Sequence, residues 1–418
     1  MSLFIPAEDG FFGTHVTWHD VESALQTCLQ TTATFGDGKK VTNIGDLKGF
    51  LSRIALIEPD WRYENGKEQE VALPEKLVVK IASLLPMIEI ARVTNQKSLE
   101  VTVTGMTPMS KTFHEREVKV YEMLEREGNP RIPYPKVYCS KSFNREDPSD
   151  LKAFLVFEYI PHRHLPMNQC ISARDLLPVI RAIASFSALG EKLPGSELEF
   201  VGSLSCWEDF LNELKDQEGV DKICNEIKDA FPEEFHEKCD RMLQIYRNIY
   251  KEMIFLKKMS KVSAFLAHKP ILGHCDLWNS NLLFSDTDMC LKAIIDFQTV
   301  SWCSPGLDLS RLLSYMLSKT ERREKTEELL ELYYKTFLEE LNGTTAPFSF
   351  QQLLDSYSIF FPVMGMVMIP SIAGMASNEG VKEGEEYESV IDKMIGLMED
   401  AIEIYEQNLK KFPEFYKQ

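Results

Sequence analysis

The hydrophobic period changes several times along this chain, and each change marks an element. Val21, Ala24, Leu25 and Cys28 recur at helical spacing. Thr17-Trp18-His19-Asp20 before them has the form of a capping box, which predicts a helix running to about Leu29. Residues 35–57 start rich in glycine (Gly36, Gly38, Gly45, Gly49) and end in Ser52-Arg53-Ile54-Ala55-Leu56-Ile57, the second strand of a hairpin. Leu77-Val78-Val79-Lys80-Ile81 is an apolar strand interrupted by one lysine. Phe113, Glu117, Val120, Tyr121 and Leu124 share one face of a predicted helix. After the Pro-rich turn Asn129–Pro135, the stretches Lys136–Phe143 and Ala153–Ile160 read as a hairpin around Asn144–Asp150.

Downstream the pattern turns helical. Helices are predicted over Leu176–Leu189, with Pro178 tolerated only if Asp175 is the cap, over Cys206–Leu214, and along an amphipathic run, Glu233–Val262. Leu307–Leu341 predicts one or two helices that stop at Asn342-Gly343, and Asp355–Met375 and Tyr387–Leu409 predict two more.

Composition narrows the function classes. Forty-six basic against 64 acidic residues give 46 − 64 = −18, a charge that repels phosphate backbones and disfavours nucleic acid as a partner. It does not bar a nucleotide, because amides, a lysine and a metal can hold phosphate inside an acidic protein. The nine cysteines are scattered and form no Cys-x-x-Cys, which suggests reduced thiols in a cytoplasmic protein rather than a disulfide framework or a zinc site. MSLFIPAEDGFF lacks a basic start and carries Glu8 and Asp9, which argues against a signal peptide. Ile359–Met375 is the most apolar stretch, but Pro362, Gly365, Pro370 and Gly374 interrupt it, so no membrane span is expected.

The candidate chemistry gathers at Ile271–Ser285. There His274-Cys275-Asp276-Leu277 is followed by Asn281, and Ala293-Ile294-Ile295 then leads into Asp296-Phe297. This is the residue order of a kinase catalytic loop and its metal-binding aspartate. Phosphoryl transfer needs one carboxylate to orient and deprotonate a hydroxyl, here Asp276, and hard oxygens for magnesium, here Asn281 and Asp296. His274 is expected to brace the loop. Asp308, at the head of a helix, either caps that helix or reaches back to the loop backbone. Lys80 inside an apolar strand needs an anion. ATP phosphates are one answer and a solvated edge strand is the other. Glu117 is its expected partner, with Glu115 as a rival that the helix register disfavours. The turn from Gly45 to Ser52 offers amides and the Ser52 hydroxyl to phosphates, although a hairpin needs such glycines without any ligand. Glu158 and Ile160 hold a hinge position, where backbone groups can pair with adenine. Only eleven residues, 297–307, separate Asp296 from Asp308, which leaves no peptide-docking segment and points to a small hydroxylated acceptor.

His274-Cys275-Asp276-Leu277-Trp278-x-x-Asn281 resembles the His-Gly-Asp-Leu-Trp-x-x-Asn loop of the ecdysteroid-kinase-like, or choline/ethanolamine-kinase-like (CHK), group of the aminoglycoside phosphotransferase superfamily. Gly49-Phe50-Leu51-Ser52-Arg53-Ile54-Ala55-Leu56-Ile57-Glu58-Pro59-Asp60-Trp61 is similar to the nematode branch of that group, and the likeness runs from about residue 10 to 412. The resemblance implies an α+β, protein-kinase-like two-lobe fold. A small, mostly antiparallel β N-lobe over 1–160 binds the nucleotide, and a larger, mainly α C-lobe over 161–418 carries the catalytic loop and acceptor site. It implies ATP and Mg2+, with Asp276 as base, Asn281 and Asp296 on the metal, and Lys80 on the phosphates with Glu117 as its partner.

Two positions depart from the group: Cys275 replaces a Gly, and Leu47 replaces a Gly expected in the phosphate loop. The implied reaction moves the γ-phosphate of ATP to a hydroxyl of a small, lipophilic acceptor such as a steroid, a xenobiotic or a glycoside. One alternative is a choline or ethanolamine kinase, whose ammonium cage would draw on Trp278 and Trp302. Another is a pseudokinase binding module. Met364, Met366, Met368 and Met375 either line an adaptable pocket or are ordinary core. No obligate protein partner is inferred.

Overall fold

The computed structural model describes residues 2–45, 51–63, 72–93, 97–144, 146–147, 149–214, 217–231, 233, 236–376 and 384–416. The chain divides into two units, Met1–Gly128 with Tyr134–Pro161, and Asn129–Pro133 with His162–Gln418.

In the first unit, helix α1 (Trp18–Leu29) starts where its capping box says it must. The Thr17 side chain accepts from the Asp20 N–H, and Asp20 accepts from the Thr17 N–H. Strands β1 (Thr34–Phe35) and β4 (Trp61–Arg62) form a small antiparallel ribbon. A five-stranded antiparallel sheet contains β2 (Lys40–Asn43), β3 (Ser52–Glu58), β5 (Leu77–Ala82), β6 (Val137–Lys141) and β7 (Phe154–Glu158), in the order β2-β3-β5-β7-β6. Alternation places Ala55, Ile57, Leu77, Val79, Ile81 and Phe154 in one buried cluster with Val21 and Leu25 of α1. Phe11, Trp18, Phe35 and Trp61 join that cluster through successive edge-to-face and tilted contacts. Lys80 has the opposite parity and therefore points to the other face. Helices α2 (Leu85–Val93), α3 (Lys97–Gly105) and α4 (Thr107–Glu127) follow β5. The phosphate-loop residues 46–50, with Leu47 among them, lie outside the described residues.

The second unit is mainly helical, and with the sheet of the first unit it gives the expected α+β class. Helix α5 (Ala173–Lys192) is capped by Ser172, not by Asp175, so Pro178 sits inside the helix. The cap lies three residues earlier because the Ser172 hydroxyl accepts from the Asp175 N–H. Next come β8 (Gly202–Ser203), α6 (Leu204–Leu214), α7 (Gln217–Ala230) and α8 (His236–Tyr250). The amphipathic run predicted to Val262 does not continue as one helix. It passes through a π turn at Lys251–Phe255 and breaks at Lys257, whose φ is 49°, before the short α9 (Val262–Phe265).

Strand β12 (Ser301–Cys303) lies between β8 and β9 (Ile271–Gly273) and pairs with both, while β10 (Leu282–Phe284) and β11 (Leu291–Ile294) form a separate hairpin. Four helices follow: α10 (Gly306–Met316), α11 (Lys319–Leu341), α12 (Phe350–Ala376) and α13 (Glu385–Lys411), with a last turn, α14 (Pro413–Tyr416). Leu307–Leu341 is thus two helices, parted where Ser318 caps α11.

The prolines and glycines of α12 do not interrupt it, and the helix predicted over Asp355–Met375 runs through them. Pro362 deprives the Ser358 carbonyl of its helical partner, and Asn408 Nδ2 on α13 donates to that carbonyl at 2.6 Å. Among the described residues α12 is long and apolar enough to cross a membrane, and 72% of its most apolar window is buried inside the protein. It packs against α10 and α13. Met364, Met366 and Met368 are buried there as core.

Candidate active site

The loop after β9 is shaped by two short-range constraints. Gly273 ends the strand where nothing larger fits: a Cβ would meet Cys303 Sγ at 2.3 Å and Asp308 Oδ2 at 3.1 Å. The chain then turns at Cys275, whose φ is +64°. Asp308 of α10 stabilises this turn by accepting from the His274 N–H and the Cys275 N–H, each at 2.7 Å. Of the two roles open to Asp308 in the sequence, these bonds are the reach back to the loop. Burial raises its pKa, against the lowering pull of His274, the two amides and Arg311.

His274 is buried and braces the loop at three points. The Asp276 N–H donates to Nδ1 at 3.3 Å, which leaves the proton on Nε2 to bond the Ile295 carbonyl at 3.0 Å. Thr299 Oγ1 donates to the His274 carbonyl at 2.9 Å. Burial lowers the His274 pKa, in keeping with a neutral ring.

Asp276 comes out of this turn half-buried. Arg311 Nη2 donates to its Oδ1 at 2.5 Å, and Asn281 Nδ2 lies 3.2 Å from its Oδ2. Asn281 Nδ2 also donates to the Asp276 carbonyl at 2.8 Å. With the amide nitrogen so engaged, the oxygen is the end of the carboxamide left for a metal. Main-chain bonding from the Ile295 N–H to the Asn281 carbonyl, 3.0 Å, ties the loop to the residue before Asp296. Asp296 itself is left-handed (φ 65°, ψ 57°), half-buried, and receives a long contact from Gln298 Nε2 at 3.4 Å. Asp276, Asn281, Asp296, His274 and Asp308 are therefore gathered around one loop of the second unit.

The first unit holds the other candidates. Lys80 Nζ donates to Glu117 Oε2 at 2.6 Å, with both residues buried. Glu115, the rival, instead accepts from the Phe143 N–H at 3.1 Å. In the β3–β5 register Ser52 pairs with Ala82 and Lys80 with Ile54, so Ser52 and Lys80 are diagonal neighbours on one face. The Glu158 carboxylate accepts from the Lys136 N–H at 2.7 Å, and the Glu158 N–H donates to the Lys136 carbonyl at 2.9 Å. Ile160 lies half-buried just past β7.

Arg311 was not foreseen in the sequence. Its signal was nonetheless present, since a lone cation within Gly306–Met316, all of it buried, must find an anion. Trp302 packs its ring edge near Gly190 of α5, where a Cβ would lie 3.1 Å from the indole. Trp278 is buried at the start of the turn that carries Asn281.

The chain is similar to several known proteins. An "uncharacterized kinase-like protein D1044.1" of Caenorhabditis elegans is 25% identical over 315 residues, covering 69% of this chain and 76% of that protein. A choline kinase structure from Cryptosporidium parvum Iowa II covers 96% of this chain and 100% of its own, at 12% identity and a TM-score of 0.46. A microcompartment-associated aminopropanol kinase covers 94% and 98%, at 14% identity and a TM-score of 0.46. Likeness at that level assigns no residue. Residues 4–409 match the family DUF1679, described as "Uncharacterized oxidoreductase dhs-27", and the chain belongs to that family.

Proposed function

We propose that this chain is an ATP-dependent small-molecule kinase that transfers the γ-phosphoryl group to a hydroxyl. The observation that carries the reading is the geometry at Asn281. Its carboxamide nitrogen is engaged by the Asp276 carbonyl and carboxylate, which leaves the oxygen as the hard donor end of the carboxamide beside that carboxylate. Asp296, a second hard-oxygen donor, follows the strand tied to the same loop. This donor set suits magnesium, which takes oxygen ligands and usually only one or two from protein side chains. Bound there, the metal supplies charge neutralisation for the phosphates. Asp276 would orient and deprotonate the acceptor hydroxyl, and the Lys80–Glu117 pair is the phosphate-binding element of the first unit.

The word oxidoreductase describes the protein after which the family is labelled. An oriented carboxylate with two oxygen donors supports phosphoryl transfer rather than hydride transfer. Within kinase chemistry, we infer a small neutral or lipophilic alcohol, a steroid, xenobiotic or glycoside, ahead of choline or ethanolamine. Trp278, one of the two indoles on which an ammonium cage would draw, is buried at the start of its turn.

The test is thermal unfolding with ATP, with and without magnesium, beside Asp296→Asn. At a hundredfold excess over Kd, binding stabilises by about 2.7 kcal/mol, a shift of several degrees. A magnesium-dependent shift that Asp296→Asn loses supports the reading. No shift at millimolar ATP favours the pseudokinase module. Acceptor screening with sterols, glucosides and choline follows from a positive result.

A further inference from the structure

We propose that the second unit holds a binding site for a small hydroxylated monocarboxylate, in a cavity walled by the first turn of α11, by α13 and by residues 168–170. The site does not depend on the kinase reading. The cavity has a volume of about 220 Å³, and Asn168, Cys170, Ser318, Lys319, Arg322 and Lys393 line it.

Lys393 calls for the anion. It is 8% exposed, and its Nζ donates to two main-chain carbonyls, those of Met167 and Tyr315. Carbonyls offer dipoles but no charge, and among the described residues no carboxylate pairs with this ammonium. Burial lowers its pKa from 10.5 to about 8, with the Arg322 charge acting in the same direction and Cys170 opposing. The other cations of the lining are already compensated. Arg322 Nε donates to Asp400 Oδ2 at 2.8 Å, and Lys319 is paired with Glu399. One buried positive charge is left over, which a monovalent anion neutralises. Asp392, exposed in the same lining, disfavours a second negative charge on the ligand.

Two further features complete the fit. The wall at Ser318 and Lys319 is the N-terminus of a 23-residue helix, whose dipole favours negative charge. Asn168 Oδ1 is buried without a hydrogen-bond partner and needs a donor, which a bare carboxylate lacks and a hydroxyl supplies. The same segment is anchored to the candidate catalytic loop, because Asn279 Nδ2 donates to the Pro166 carbonyl at 3.0 Å.

The experiment is calorimetric titration of the full chain with lactate, propionate and inorganic phosphate at constant ionic strength. Lactate and propionate differ by one hydroxyl and carry the same charge. Lactate is expected to bind roughly five- to tenfold more tightly than propionate, and Asn168→Ala to remove that preference. Lys393→Met is expected to weaken both by more than about tenfold. Since Lys393→Met also strips two carbonyls of their partner, a second measurement uses the wild type alone. Lactate should slow alkylation of Cys170 severalfold, followed by peptide mass mapping, and leave the exposed Cys28 unchanged. The proposal is overturned if lactate does not bind at tens of millimolar, if it leaves Cys170 alkylation unchanged, or if Lys393→Met binds it as the wild type does. A hydroxyl preference that survives Asn168→Ala, or phosphate binding more tightly than lactate, overturns the ligand class.

Discussion

Asp308 accepts two 2.7 Å hydrogen bonds from consecutive main-chain amides, those of His274 and Cys275, so one buried carboxylate of α10 fixes the turn that delivers Asp276. Asp308→Ala leaves both amides unpaired away from water. Each such group costs about 1–3 kcal/mol, so a loss of roughly 2–6 kcal/mol in urea unfolding is expected. Asp308→Asn keeps one acceptor oxygen and should lose about half as much. A loss under 1 kcal/mol for the alanine variant would mean that the loop holds itself.

Cys275 stands at φ +64°, where glycine rests without strain and other residues pay about 1 kcal/mol or more. Its thiol is buried, beside Cys303 and against the Ser301 carbonyl at 3.9 Å. Cys275→Gly removes both the strain and the packing, whereas Cys275→Ala removes packing and keeps the strain. The glycine variant should therefore be more stable than the alanine variant by about 1 kcal/mol. Equal midpoints in chemical denaturation would show that the turn carries no strain.

These two positions show where the sequence was informative. Asp276, Asn281 and Asp296 announce themselves through spacing, because short loops and a strand fix where each side chain emerges. Lys80 and Glu117 could be paired from the parity of a strand and the register of a helix. Thr17 and Asp20 needed only three residues of context. Arg311 meets Asp276 across 35 residues of chain, and only its isolation in a buried helix hinted at a partner. The prolines follow a related logic. Local rules disfavour a helix through Pro178 or Pro362, but a tertiary donor can replace the lost amide, as Asn408 does for Ser358. The break at Lys257 is the reverse case: the apolar period continues while the backbone turns left-handed.

His114 is expected to make the stability of the first unit depend on pH. Its Nε2 donates to the Lys141 carbonyl at 3.0 Å, and burial pushes its pKa down from 6.5 to about 4, aided by the nearby Lys80 charge. The folded state thus binds fewer protons than the unfolded chain between those values. The stabilisation is present above pH 6.5 and is lost as pH falls towards 4. Between pH 7 and pH 5 the wild type should lose about 2 kcal/mol more than His114→Gln, a difference that cancels the other groups titrating in that range. Parallel pH profiles for the two proteins would rule this out.

Asn408 and Pro362 should behave as one unit, because each explains the other. Pro362 has no N–H for the Ser358 carbonyl, and Asn408 Nδ2 supplies a substitute from α13 at 2.6 Å while the Ser358 hydroxyl donates back to Asn408 Oδ1. Asn408 is 1% exposed, so its removal cannot be made good by bulk water. Asn408→Ala alone should cost about 2–3 kcal/mol, as expected for leaving a buried carbonyl and a hydroxyl without partners. In a Pro362→Ala background residue 362 regains an N–H, and the Ser358 carbonyl recovers its helical bond. The same Asn408→Ala change should then cost about 1 kcal/mol less. A double-mutant cycle by urea denaturation measures this coupling directly. A coupling near zero would mean that α12 tolerates Pro362 through its apolar packing alone, with Asn408 a passenger.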